Sequence, residues 1–228
     1  RDEGFILPKQ LIQVGHKQMI DWSMSCIKTD ECNQIFIIRR DTVENNQMDD
    51  ILRSKFGDDI TIVIAEEETE GTVCSCLLAE KYIDNNLPLS ITTLDMYFEP
   101  YFDPAKTADS DGVVLTFDAD NPAYSYSKLG DNGYVIKTAE KEVISNHAHA
   151  GLYHFARGSD FVRLAKEMIK RNIIFNTIHN SFNLKTIKTC TFSIYRYTES
   201  FNLNNIITII FNSFFPKSCT LIRHTIRR

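Results

Sequence analysis

The sequence predicts an α/β fold: a mixed, mostly parallel sheet flanked by helices, with an antiparallel hairpin inserted in its second half. Three observations predict it. Short β-branched runs alternate with helix-period segments from about residue 34 to 95, the order of a parallel sheet built from right-handed crossovers. After residue 112 the alternation gives way to consecutive strand runs, two of which flank Gly130-Asp131-Asn132-Gly133, a hairpin signal. With 228 residues, 43% of them hydrophobic, the chain is long enough to bury one large core.

In order along the chain, Gly4 and Pro8 mark a loop that carries Lys9. Leu11, Ile12 and Val14 form a short apolar run, and Met19, Ile20, Met24 and Ile27 recur at helical spacing. Residues Gln34 to Ile38 read as a buried strand. Glu44 to Phe56 reads as one helix with Met48, Ile51, Leu52 and Phe56 inward, and Asp59 to Ala65 as the next strand. The acidic run from Glu66 to Glu70 reads as a solvated loop. Gly71 permits close backbone approach to a ligand, and Thr72 is expected to cap a helix running from Val73 to Ile83, whose N-terminus would favour an anion.

The stretch LPLSITTLDMYF, Leu87 to Phe98, organises the rest. It reads as a strand that ends at Asp95, and ligands of open α/β sheets gather outside the carboxyl ends of strands. A carboxylate there suits a divalent cation, although aspartates also close turns. Gly112 to Phe117, Tyr124 to Leu129, Tyr134 to Ala139 and Ala148 to Ala156 read as strands, the last with Gly151 inside it, where glycine marks close approach by a ligand or another backbone. Ser159 to Arg171 reads as a helix burying Phe161, Leu164, Ala165 and Met168.

Bulk properties exclude some classes. A net charge of −5 argues against a general nucleic-acid binder. No apolar run reaches the ~18 residues of a membrane span, and no signal-peptide pattern is seen, so a cytoplasmic protein is expected. The six cysteines lack CxxC or metal spacing and read as thiols of a reducing compartment. His147 and His149 share one strand face, yet no further ligand accompanies them, so no histidine metal site is expected. Residues 172–228 differ from the rest: they carry seven bases against the single acid Glu199 and contain no Gly, Ala, Val or Asp. Those residues, with Glu, are the ones whose codons begin with G. The reading is therefore one domain, 1–171, followed by a non-matching tail, 172–228, that is disordered or read out of frame from about Asn172, and Asn205 to Phe215 is an aggregation-prone segment within it.

The ordered phrases GFILPKQLIQVGHKQMIDW, EGTVCSCLLAEKYI, LPLSITTLDMYF, DGVVLTF, YSKLGDNGYV, AEKEVISNHAHAGLYHF and GSDFV carry a resemblance over about residues 3–171. They resemble the sugar-phosphate nucleotidyltransferases, in particular the short bacterial members linked to capsule and surface polysaccharides. The resemblance implies a Rossmann-like nucleotidyltransferase domain that joins an NTP and a sugar 1-phosphate into an NDP-sugar and pyrophosphate with Mg²⁺. It implies that Lys9 contacts phosphates, that Glu70, Gly71 and Thr72 lie along the nucleotide, that Asp95 binds Mg²⁺, and that Glu140 and Lys141 face the sugar phosphate with Gly151 leaving room for it. Nucleotidyl transfer suits such a set, because it needs positioning and charge stabilisation more than covalent chemistry from the protein.

The chain also departs from the family pattern. The GxGxRF loop expected before Arg1 and a late WxxxGTxxD segment have no counterpart, PKP reads PKQ at Gln10, and Thr93 precedes Asp95 by two where Asn or Ser is expected. A fragment of an enzyme is the expectation. A nucleotide-sugar-dependent glycosyltransferase and a catalytically dead nucleotide-binding domain are the alternatives; the first would call for an Asp-x-Asp pair, and position 93 is Thr.

Overall fold

The computed structural model describes residues 7–29, 32–94, 96–99, 101–107 and 110–170, together with the backbone of 184–188 and 208–213. The chain opens with a 3-10 turn, Lys9–Leu11, and a small hairpin, β1 (Gln13–Val14) and β2 (Lys17–Gln18), turned through Gly15. Then come α1 (Met19–Ser25), β3 (Cys32–Arg39), α2 (Arg40–Asn46), α3 (Met48–Phe56) and β4 (Thr61–Ala65). Next are α4 (Thr72–Leu77), α5 (Glu80–Ile83), β5 (Leu89–Thr93), a 3-10 turn at Pro104–Thr107 and β6 (Gly112–Asp118). The second half holds β7 (Ser125–Leu129), β8 (Val135–Glu140), β9 (His147–Phe155) and α6 (Gly158–Lys170), with β10 (Leu184–Lys188) and β11 (Thr208–Ser213) beyond.

The large sheet runs β10-β6-β9-β5-β11-β3-β4, with the β7–β8 hairpin attached through β9. β3 and β4 pair in parallel, as do β6 and β10, whereas β9 runs antiparallel to β5 and β6, and β11 antiparallel to β3 and β5. The fold is therefore the expected mixed α/β sheet with helices on both faces and an antiparallel hairpin. Alternation along β3 loads both faces. Phe36 and Ile38 meet Ile20, Met24, Met48, Leu52, Leu94 and Phe98 on one side, and Ile35 and Ile37 meet Val73, Cys76, Ile83 and Phe161 on the other.

Two local expectations are corrected. The single helix from Glu44 is two, because Gln47 takes the left-handed conformation (φ 50°, ψ 43°) and breaks it; Met48 and Leu52 are buried as their spacing requires. The helix expected from Val73 to Ile83 is also two. At its start Gly71, with φ 140°, holds the cap position, and Thr72 is the first helical residue. Within 172–228 the backbone of two segments pairs with the sheet, β10 beside β6 and β11 between β3 and β5. The other residues of that tail, like Arg1 and Gly4 at the start, lie outside the described residues.

Helix α6 is sewn to the loop after α5. Gly158 donates its amide to the Leu87 carbonyl (2.9 Å) and Ser159 to that of Asn85 (2.8 Å). This fixes the helix that covers one sheet face through Phe161, Val162 and Ala165.

Candidate active site

Strands β3, β4 and β5 run in one direction, so their carboxyl ends, Arg39, Ala65 and Thr93, share one edge of the sheet. Much of the charge there is paired. Arg39 forks onto Asp41, with Nε–Oδ1 at 3.0 Å and Nη2–Oδ2 at 2.8 Å. Arg40 forks onto Glu66 and holds its carboxyl below the usual range, so one member of the acidic loop is tied to the end of β3. That pair is exposed and adds little to stability.

Beyond β4, the Gly71 carbonyl accepts bonds from the Ser75 amide (3.0 Å), the Ser75 hydroxyl (3.3 Å) and the Thr69 hydroxyl (3.3 Å). The turn is thereby fixed, with Glu70 exposed beside it and Gly71 and Thr72 half-buried.

The end of β5 is held from three sides. Leu94 is buried. The Ser23 hydroxyl of α1 donates to the Met96 carbonyl (2.9 Å), and the Phe98 amide donates to the Cys26 sulfur (3.1 Å). Tyr97 lies edge-on to Trp22, ring centroids 5.0 Å apart. Asp95 itself lies outside the described residues, but the residues on either side of it are fixed.

Gly151 meets this point from β9. The β6–β9 register slips there, from Val114 opposite Tyr153 to Thr116 opposite His149, and Gly151 takes φ 76° in the resulting bulge. A Cβ at Gly151 would lie 2.7 Å from Thr93 Oγ1 and 3.1 Å from Met96 Cγ. Bulges of this kind cluster next to active sites. Gly151→Ala should destabilise the protein by about 2 kcal/mol, from the left-handed φ and the clash together. Urea unfolding should show it, with part of the loss recovered when Thr93→Ala is added.

Glu140 is the last residue of β8 and Lys141 follows it with φ 54°, its amide bonded to the Tyr124 carbonyl at 3.0 Å. The left-handed residue interrupts the alternation that would send neighbouring side chains to opposite faces. The Tyr153 phenol is pushed up to about 12, first by burial and then by the charge of Glu140. Lys9 begins the 3-10 turn that packs on α1, the helix that also docks 96–98. The structure thus brings Gly151 against Thr93 and Met96, which lie on either side of 95, and gives Lys9 and the β5 end a common support, while Glu140 pairs with Ser125 in the β7–β8 hairpin. Glu70, Gly71 and Thr72 stand at the neighbouring strand end.

One polar group escapes sequence reasoning. Ser127 Oγ and His149 Nε2 are 2.7 Å apart, and His149 Nδ1 lies 3.3 Å from the Tyr153 hydroxyl. Thr116 pairs with His149 and Thr138 with Ser127, and both threonine hydroxyls are buried without a hydrogen-bond partner among the described residues. Period-two polar residues on both β7 and β9 were the available signal.

Among the described residues no three His, Cys, Asp or Glu come together to hold a metal, and no helix is long and apolar enough to cross a membrane. Cys26 and Cys74 are free thiols.

Comparisons with known proteins agree with this architecture. A nucleoside-diphosphate-sugar pyrophosphorylase from Vibrio cholerae RC9 superposes with TM-score 0.69 at 19% identity, over 82% of this chain and 86% of that one. A protein assigned as a glucose-1-phosphate thymidylyltransferase from Bacillus anthracis gives 0.65 at 19% identity, over 80% and 78%. An inositol-1-phosphate CTP transferase from T. maritima gives 0.59 at 11% identity, over 80% and 77%. At these identities the likeness is one of fold. No curated protein matches the chain. The family model for nucleotidyl transferases matches residues 5–183, most of the chain, and the protein belongs to that family.

Proposed function

We propose that the chain is a sugar-phosphate nucleotidyltransferase domain, which joins an NTP to a sugar 1-phosphate in the cytoplasm to supply surface polysaccharide synthesis. An oxygen of the sugar phosphate attacks the α-phosphorus of the NTP, the bond to the β-phosphate breaks, and pyrophosphate leaves. The observation that supports it best is the bulge at Gly151, whose backbone lies against Thr93 and Met96 at the end of β5. Fixed strand ends provide the positioning on which such transfer depends.

In this reading Glu70, Gly71 and Thr72 lie along the nucleotide, Lys9 contacts its phosphates, and Glu140, Lys141 and Gly151 receive the sugar phosphate. Mg²⁺ is the proposed cofactor and would neutralise charge on the phosphates. The described residues do not by themselves form a cation site. In this reading Asp95 would hold it.

The test separates binding from chemistry. NTP binding is measured by calorimetry for each base, and pyrophosphate release is measured with hexose 1-phosphates. Binding together with release that requires the sugar phosphate supports the reading. Binding without release with any hexose 1-phosphate makes the chain a nucleotide-binding domain, and activity on preformed NDP-sugars alone makes it a glycosyltransferase.

A further inference from the structure

A row of four polar side chains crosses the second half of the sheet, and none of the proposed steps uses it. Thr116 of β6 pairs with His149 of β9, and Ser127 of β7 pairs with Thr138 of β8. Cross-strand partners point to the same side of a sheet. The bond between Ser127 Oγ and His149 Nε2, at 2.7 Å, puts both pairs on one side. Thr116 and Ser127 are 0% exposed, His149 6% and Thr138 7%.

The sheet curls around this row. Val114 of β6 packs with Val135 of β8, although β9 and β7 separate their strands, and Leu129 and Tyr153 pack against the same pair. Val114 stands two residues before Thr116, and Leu129 two after Ser127, so alternation puts them on the side of the row. The row therefore lies on the concave side, between the β7–β8 hairpin and β6. It reaches the surface along β7, where half-buried Ser125 pairs with exposed Glu140. His149 stands two residues before Gly151 on β9.

His149 is bonded at both nitrogens, to Ser127 and, at 3.3 Å, to the Tyr153 hydroxyl. Thr116 Oγ1 and Thr138 Oγ1 are buried with no hydrogen-bond partner among the described residues. Burying a hydroxyl without a partner is unfavourable, so two such groups on either side of one Ser–His pair mark a place where a partner arrives. Three hydroxyls and an imidazole, with no Lys, Arg, Asp or Glu in the row, suit a neutral group that both donates and accepts. A phosphate or carboxylate would find no fixed cation in the row. A sugar hydroxyl meets both requirements.

We propose that Thr116, Ser127, Thr138 and His149 read the sugar ring, hydrogen-bonding a ring hydroxyl of the substrate whose phosphate lies at Glu140, Lys141 and Gly151. This role rests on the nucleotidyl-transfer reading for the class of ligand, and on the row for its selectivity. A site built to bond a hydroxyl rejects the analogue that lacks it, because its own buried groups are then left unpaired. The sugar 1-phosphate is thus selected by a ring hydroxyl rather than by its size.

Calorimetry on the whole chain measures binding of hexose 1-phosphates and of their monodeoxy analogues to the parent, Thr116→Val and Thr138→Val, beside NTP binding and pyrophosphate release. The expected result is a preferred hexose 1-phosphate whose affinity falls about a hundredfold or more when one hydroxyl is removed. Its affinity also falls about tenfold in at least one variant, while that variant binds the matching deoxy sugar and the NTP as the parent does. Urea unfolding without ligand should find each variant at least as stable as the parent, since valine replaces an unpaired hydroxyl. No hexose 1-phosphate bound, deoxy sugars bound as well as the complete ones, equal binding by parent and both variants, or a variant less stable without ligand would overturn the role. Selectivity that the variants lose, with no pyrophosphate release, keeps the row and removes the reaction. Release without such selectivity keeps the reaction and removes the row.

Discussion

Gly158→Ala is expected to cost about 4 kcal/mol or to prevent folding, among the largest effects of a single methyl group. A Cβ at Gly158 would lie 2.0 Å from the Ile83 carbonyl oxygen and 3.1 Å from its carbon. Both are backbone atoms at the end of α5, so no rotamer change relieves the overlap. Moving α6 away stretches the bonds from Gly158 to Leu87 and from Ser159 to Asn85. Each such bond contributes about 1 kcal/mol. The same movement withdraws Phe161, Val162 and Ala165 from the packing they make with Ile83 and Leu89, where lost contact adds to the penalty. Urea unfolding monitored by circular dichroism measures the loss. Ser159→Ala, one residue along, is the control and should shift stability by no more than about 0.5 kcal/mol. A Gly158→Ala protein as stable as the parent would mean that the α5–α6 approach is looser than described.

Asp95→Asn should leave the fold intact and weaken Mg²⁺-dependent nucleotide binding on the order of a hundredfold, with a comparable loss of rate, by analogy with removing one preorganised group that stabilises charge. The structural basis lies in its neighbours. Leu94 is buried, Thr93 abuts Gly151, Met96 accepts from Ser23, and Phe98 donates to Cys26. These contacts are made by the neighbours and not by Asp95, so the substitution leaves them in place. Asparagine has nearly the same shape, so the loss reads charge alone. Titrating nucleotide with and without Mg²⁺ on parent and variant measures it. Equal binding in the two proteins would reduce Asp95 to a turn residue.

The alternation of strand and helix up to β5 was legible because buried parallel strands are β-branched runs bounded by turn residues. The β7–β8 hairpin was legible from the Gly-Asp-Asn-Gly turn. The break at Gln47 was not, because nothing marks a glutamine for the left-handed region. Gly151 was legible as a glycine that a neighbour approaches closely, but its neighbour was not: Thr93 and Met96 come from another strand end, and only tertiary structure brings them there. The close approach at Gly158 was not legible for the same reason, since the carbonyl it faces belongs to α5. Ser90 and His154, and likewise Ser127 and His149, pair across strands far apart in sequence, and composition carries no trace of such partners.

The position of β11 sets the order in which the molecule can be completed. Among the described strands β3 and β5 are joined through β11 alone, which leaves two open ladder edges facing each other until residues 208–213 arrive. On a ribosome adding ~5–20 residues per second, the stretch from the end of α6 to β11 takes roughly 2–8 s to make. Throughout that interval the rest of the sheet is a template for any extended chain nearby. The centre of this protein is thus the last part to close, and its yield in a cell depends on what occupies that gap during synthesis.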